Sequence, residues 1–350
     1  MADIQEKSFG SLSDGTAVQL YTLRNAAGQE IDVTNYGARL VAWRTTDAEP
    51  LDIVLGYGSA AVYEQDDTSM GGVVGRHANR IAGGRAVIDG QTYQLELNSG
   101  SHQQNHIHGG RRGFHDRMWR AEAAAGGLEL HYTSPDGEGG YPGTLEVTVR
   151  YDLTDDGELK LHYEAVSDKA TICNLTSHTY FNLAGYAAGA DAVLDTRIQI
   201  LADTYTWADS ESLPDGRILD VAGTPMDLRE PTRIGDHIDD DFDELVMGQG
   251  YDHNWCIRGQ GLRQAACATS PATGLTLTCY TTLPGVQFYT GNFLDGSFIG
   301  KNGARYERRG GFCLETQYYP NALANPNFPQ PVIKAGEKYE ATTIYALTQK

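Results

Sequence analysis

His178 sits in the stretch NLTSHTYFNLAG, residues 174–185, between two hydroxyl residues and just ahead of Tyr180 and Phe181. An imidazole titrates near ~6.5 and can give or take a proton close to neutrality. On its own such a histidine is more often a structural group, so its company decides its meaning. The cluster GGVVGRHANRIAGG sets Arg76, His77, Asn79 and Arg80 between paired glycines. It lacks the Lys-Ser/Thr of a phosphate-binding loop and has no surrounding β-α unit, which argues against a nucleotide. Asn and Arg together supply donors suited to hydroxyl oxygens. A third cluster, NSGSHQQNHIHGGRRGFHDRMW, carries His102, His106, His108 and His115. A His-x-His pair can hold a metal, but no HExxH, cysteine pair or matched carboxylate spacing supplies a third ligand, so no metal is expected. The fourth joins GYDHNW, with Asp252 and His253, to GFCLETQYYPNALANP, where Glu315 follows Phe312, Cys313 and Leu314. Partial burial on such a strand raises a carboxyl pKa and suits it to proton transfer.

The elements that must position these groups read as strands. TLEVTVRYDL alternates apolar and polar residues, breaks at Asp156-Gly157 and resumes in ELKLHYEAV, the pattern of a β-hairpin. The same grammar recurs in RAVIDGQTYQLEL around Asp89-Gly90, in GLTLTCYTTLPGVQFYTG and in EKYEATTIYALT. Amphipathic helices are scarce, the best candidate being a short one within PTRIGDHIDDDFDELV. These features imply an all-β, large antiparallel β-sandwich with few short helices, and residues 1–350 as a single domain. The run LADTYTWADSESLPDGRILDVAGTPMDLREP reads as a long loop, placed to lie over a site.

The chain has 350 residues with 27 Lys plus Arg against 46 Asp plus Glu, a formal charge of -19, so nucleic acid and anionic membrane surfaces are repelled. No segment approaches the ~18 apolar residues of a membrane span, and the first residues show no basic start followed by an apolar run. Five widely spaced cysteines form no C-x-x-C pair, which fits a reducing compartment, and a cytoplasmic, unexported protein is expected.

Together, GRHANRIAGG, NHIHGGRRGFHDRMW, NLTSHTYFNLAG, GYDHNW, GVQFYTGN and CLETQYYPNALANP resemble the aldose 1-epimerase, or galactose mutarotase, family, in order from about Asn35 onward. The resemblance implies a sugar site across the concave face of the sandwich. It also implies interconversion of the α and β anomers of free aldohexoses such as glucose and galactose, with no cofactor. Carried over by position, it makes His178 the general acid and Glu315 the general base, and sets Asn79, Arg80, His108, Tyr180, Asp252 and Gln287 around the sugar. The partner is then a small-molecule sugar, and the protein a monomer or homodimer. Two alternatives stand beside this. A hexose-6-phosphate epimerase would need a basic pocket, for which Arg76, Arg111 and Arg112 are the nearby candidates. A non-catalytic sugar-binding module would keep the donors and lose the acid or base, yet both are present.

Overall fold

In the strand Leu145–Leu153 every second side chain, from Leu145 to Leu153, is buried, and Glu158–Ser167 buries Leu159, Leu161, Tyr163 and Ala165. The two strands pair antiparallel with Leu153 opposite Leu159. Gly157 closes their turn at φ +80°, a left-handed conformation open to a residue without Cβ. The computed structural model describes residues 3–47, 49–124 and 126–349. Within them this hairpin belongs to a nine-stranded sheet ordered Arg120–Ala124, Gly127–Ser134, Leu145–Leu153, Glu158–Ser167, Lys338–Gln349, Leu275–Thr281, Arg263–Thr269, Arg197–Ile200, Thr232–Arg233. A six-stranded sheet runs Tyr180–Phe181, Phe312–Gln317, Gly285–Tyr289, Asp252–Ile257, Ala202–Ala208, Pro214–Asp220. Their strand pairs are antiparallel.

The two sheets share one core. Phe181, Trp255, Phe288, Phe312 and Leu314 of the smaller sheet cluster with Leu161, Tyr163, Leu277 and Tyr345 of the larger. Phe181 and Tyr345 meet with ring centroids 5.1 Å apart, and the Tyr345 hydroxyl donates to the Leu314 carbonyl at 2.7 Å. The strand period of two then decides the other face of the smaller sheet. With Phe312, Leu314, Phe288 and Trp255 turned to the core, Cys313, Glu315, Gln317, Gln287, Tyr289, Asp252 and Asn254 point the opposite way. Cross-strand register sets Gln287 beside both Glu315 and Asn254. A polar stripe therefore crosses the middle of that sheet.

A four-stranded sheet, Asp3–Ser11, Ala17–Arg24, Glu30–Thr34, Arg39–Arg44, completes the N-terminal part. The hairpin around Asp89-Gly90 forms as Arg85–Ile88 and Gln91–Gln94. Three short α-helices are described, Ala60–Tyr63, Gly189–Asp195 and Asp243–Gly248, the last beginning within the expected helical segment and running two residues past its end at Val246. Two expectations are corrected. GLTLTCYTTLPGVQFYTG is no hairpin: Leu283-Pro284-Gly285 breaks the ladder, and the chain passes from the larger sheet to the smaller. The long run after Leu201 is no simple loop, because Ala202–Ala208 and Pro214–Asp220 pair as an edge hairpin of the smaller sheet. No described helix is long and apolar enough to cross a membrane, and all five cysteines are free thiols.

Candidate active site

A cavity of about 240 Å³ opens over the polar stripe, and its wall includes Asn79, Arg80, His108, His178, Tyr180, Asp252 and Glu315. Seven of the eight residues expected at the site therefore meet at one cavity, although they span more than two hundred residues of sequence.

His178 is gripped by its backbone. Its N–H donates to the Gly72 carbonyl at 2.9 Å, and its carbonyl accepts from Gly71 N–H at 2.8 Å. The paired glycines are themselves wedged against other neighbours: at Gly71, with φ +70°, a Cβ would fall 2.2 Å from the Leu40 carbonyl oxygen, and at Gly72 one would fall 2.5 Å from the His115 Cβ. On the other side, Tyr180 pairs with Cys313 across the sheet. The His178 ring stacks on Tyr180 with centroids 5.0 Å apart and meets His108 and Tyr289 edge-on. Its Nδ1 lies 3.5 Å from Cys313 Sγ, and its Nε2 lies 3.7 Å from Glu315 Oε1.

Glu315 is only 2% exposed, and its Oε2 has no hydrogen-bond partner among the described residues. Burial pushes its carboxyl well above the usual range; the Asp252 charge adds to this and Arg80 opposes it. Burial pushes His178 the other way, down to about 4, with nearby His115 adding and the Asp252 and Asp66 charges opposing. Between these limits the pair holds one proton. Burial thus favours the protonated carboxyl on Glu315 and the neutral ring on His178.

The surrounding groups are set with defined polarity. Asn79, at φ +65°, accepts the Arg80 N–H on its own Oδ1 at 2.8 Å. Its backbone N–H donates to His108 Nδ1 at 3.1 Å. That bond places the proton of the neutral His108 ring on Nε2, and burial holds its pKa well below the ordinary value. His108 is thereby a hydrogen-bond donor. Asp252 accepts Gln287 Nε2–H at 2.7 Å and lies 4.0 Å from Arg80.

Gln287 is buried just behind the cavity lining, taking a hydrogen bond from Gln317 at 3.2 Å and donating one to Asp252, so it orients that carboxylate. Tyr180 lines the wall, but its hydroxyl is committed to the Thr68 carbonyl at 3.2 Å. The other histidines lie outside this wall. His106 bonds the Glu96 carbonyl and the Tyr141 hydroxyl; His253 accepts Asp252 N–H; His77 is buried; His115 sits 3.5 Å from Asp116 in an adjoining groove. Of the arginines weighed for a phosphate, Arg76 is buried and donates to Ser134 and to the Pro135 and Pro142 carbonyls, while Arg111 and Arg112 line the groove. Asp67, Thr68, Ser69, Ile107, Tyr289, Phe293 and Leu294 also line the cavity without having been singled out in the sequence. GVQFYTGN stops at Asn292, just short of Phe293, and the Asp67 segment carries no motif.

Ligand atoms of His108, His178 and Glu315 come within 4.8 Å of one another, close enough to hold a cation. The Asn79 N–H bond removes the lone pair that His108 Nε2 would need, and Arg80 adds positive charge to the same wall. The donor set fits proton transfer to a hydroxylated ligand better than metal ligation.

A buried imidazole facing a buried carboxyl, ringed by hydrogen-bonding side chains on the face of an antiparallel sandwich, is the arrangement of an isomerase site. The chain belongs to the aldose 1-epimerase family of isomerases, whose model matches residues 19–346. It is similar to the galactose mutarotase of Homo sapiens, 42% identical over 99% of this chain and 98% of that protein. Similarity extends to the aldose 1-epimerase of Escherichia coli K12, 36% identical over 95% of this chain and 96% of the relative. The crystal structure of galactose 1-epimerase from Lactobacillus acidophilus superposes with a TM-score of 0.87 at 30% identity, covering 100% and 99% of the two chains.

Proposed function

We propose that His178 and Glu315 open and reclose the pyranose ring of a free aldohexose such as glucose or galactose, exchanging its α and β anomers. The observation that carries this is the buried carboxyl with an unpartnered Oε2, 3.7 Å from a histidine Nε2 in a cavity walled by hydroxyl-binding groups. A bound sugar moves the shared proton. A C1 hydroxyl donating to Glu315 favours carboxylate, and a ring oxygen accepting from Nε2–H favours imidazolium. Glu315 then takes the proton from the C1 hydroxyl as the carbonyl forms, the bond from C1 to the ring oxygen breaks, and His178 protonates that oxygen. Opening leaves the proton on Glu315 and His178 neutral, the distribution that burial already favours. The raised carboxyl makes a stronger base and the depressed imidazolium a stronger acid. Rotation about C1–C2 presents the other carbonyl face, and both transfers reverse.

Asn79, Arg80, His108 and Asp252 hold the hydroxyls; Gln287 fixes Asp252, and Tyr180 fixes the imidazole plane. The chain acts as one domain, as a monomer or homodimer, in the cytoplasm, where five unpaired thiols fit a reducing medium. The test is NMR exchange between the C1 protons of α- and β-glucose and of α- and β-galactose. Exchange no faster than the uncatalysed rate for either sugar would refute the proposal.

A further inference from the structure

One acid on the cavity wall takes no part in this proton chemistry. Asp67 lines both the catalytic cavity and the adjoining groove, so it stands where the two meet. Its neighbour Asp66 is fully engaged. Asp66 accepts from the Tyr57 hydroxyl, from Thr68 N–H and Oγ1–H and from Met70 N–H, and it pairs with buried Arg39 at 3.4 Å. Those bonds fix the turn, and Tyr180 ties its Thr68 carbonyl to the active site. Asp67, by contrast, makes no side-chain hydrogen bond to another residue and no ion pair among the described residues; its carboxylate meets only its own backbone N–H. Partial burial raises its pKa, and the negative charges of Asp66 and Asp295 that face this rim add to the rise. In the groove beyond, Asp14, Glu64 and Asp116 stand with it against Arg111 and Arg112.

We propose that Asp67 is a charge filter that restricts this site to uncharged aldoses and turns away sugars bearing a carboxylate or phosphate. The proposal rests on reading the cavity as an aldose site. A sugar hydroxyl can donate to a carboxylate, whereas an anionic oxygen cannot and is repelled. At a separation of ~7 Å in a half-hydrated medium, one such charge is worth roughly three- to tenfold per unit of ligand charge, and salt screens it.

The test compares kcat/KM for glucuronate and for glucose 6-phosphate, each divided by that for glucose. In Asp67→Asn and Asp67→Ser the glucuronate ratio rises roughly three- to tenfold at low ionic strength, the phosphate ratio rises further, and both gains shrink in ~0.5 M salt. Asp67→Glu keeps the wild-type ratios. So does Asp89→Asn, which removes the same charge from a residue lining neither cavity nor groove. A ratio within twofold of wild type in both neutral variants would overturn the filter. An equal rise in Asp89→Asn would overturn it too, by assigning the discrimination to net charge. Competition of the same sugars in saturation-transfer NMR reads the ratio without turnover. Wild-type protein that binds but does not exchange anomers would therefore sink the proposed function while still deciding the role of Asp67.

Discussion

Glu315→Gln isolates the base with almost no change of shape. The amide keeps the volume and one oxygen of a side chain only 2% exposed, but it cannot accept the proton of the C1 hydroxyl. A positioned general base contributes roughly 10²–10⁴-fold, so kcat should fall by that factor, about 2.7–5.4 kcal/mol of transition-state stabilisation. His178 stands 3.7 Å away and cannot take over, since it serves the ring oxygen in the same step. His178→Asn should cost a similar factor, and the double variant should be little slower than the worse single one, as expected for groups acting as a unit. The wild-type pH profile needs one proton on the pair. Its acid limb falls as pH drops through about 4, where His178 gains a second proton. Its alkaline limb follows loss of the proton held by Glu315, and Glu315→Gln should lack that limb. Stability moves in the opposite sense. Because folding raises the Glu315 pKa, the stability linked to this carboxyl is present below its unfolded value of ~4.3 and is lost as pH rises through the folded value. The amide does not titrate, so the variant should gain on wild type in thermal unfolding as pH rises above the unfolded carboxyl value of ~4.3. NMR anomer exchange supplies the rates, with circular dichroism to confirm folding. A folded Glu315→Gln protein with near-full exchange would refute the assignment of the base.

Arg80→Ala should raise KM more than it lowers kcat and leave the melting temperature nearly unchanged, because its partner Asp252 is 4.0 Å away and stays bonded to Gln287; kinetics alongside calorimetry check this. Gln287→Met should lower kcat/KM roughly tenfold or more by freeing Asp252, since a hydrogen bond to a charged group is worth about 1.5–3 kcal/mol; unchanged kinetics would return Gln287 to a packing role. Arg39→Ala should cost about 3–5 kcal/mol in denaturant unfolding, because it leaves Asp66 buried without its ion pair. Dialysis against a strong chelator should leave anomer exchange intact, whereas loss of activity with rescue by zinc would reopen the His108, His178, Glu315 cluster as a metal site.

Features set by local chemistry were legible in the sequence. The hairpin across Asp156-Gly157 needed only alternation and a turn pair, and the buried faces follow that alternation. His178 and Glu315 could be singled out because each motif carries its own strand context, and together the motifs resemble one family. Features set by distant neighbours were hidden. An amide at Gln287 is as suited to a sugar as to a carboxylate, and only the cross-strand register with Asp252 and Gln317 decides between them. Thr204 and Tyr205 lie in a run dense with turn formers, yet Asp220 and Leu219 pair with them. Leu275–Thr281 and Gly285–Tyr289 look like two arms of a hairpin, but Pro284 offers no N–H to a ladder, and each strand finds its partners in a different sheet. The thiol of Cys313 reads as core filler until the fold sets it beside His178 Nδ1.

The place of Lys338–Gln349 in the nine-stranded sheet has a consequence for how the molecule comes into being. It is an interior strand, flanked by Glu158–Ser167 on one side and Leu275–Thr281 on the other, and His162 meets Thr342 across 180 residues of chain. During synthesis the hairpin of Leu145–Leu153 and Glu158–Ser167 can form early, but its outer edge must wait, open, for a strand made long afterwards. Such non-local closure slows folding and leaves an unpaired edge able to recruit another chain. A nascent chain halted before residue 338 would therefore hold two half-sheets without their common seam. Its yield in the cell should depend on holdase chaperones far more than the stability of the finished enzyme would suggest.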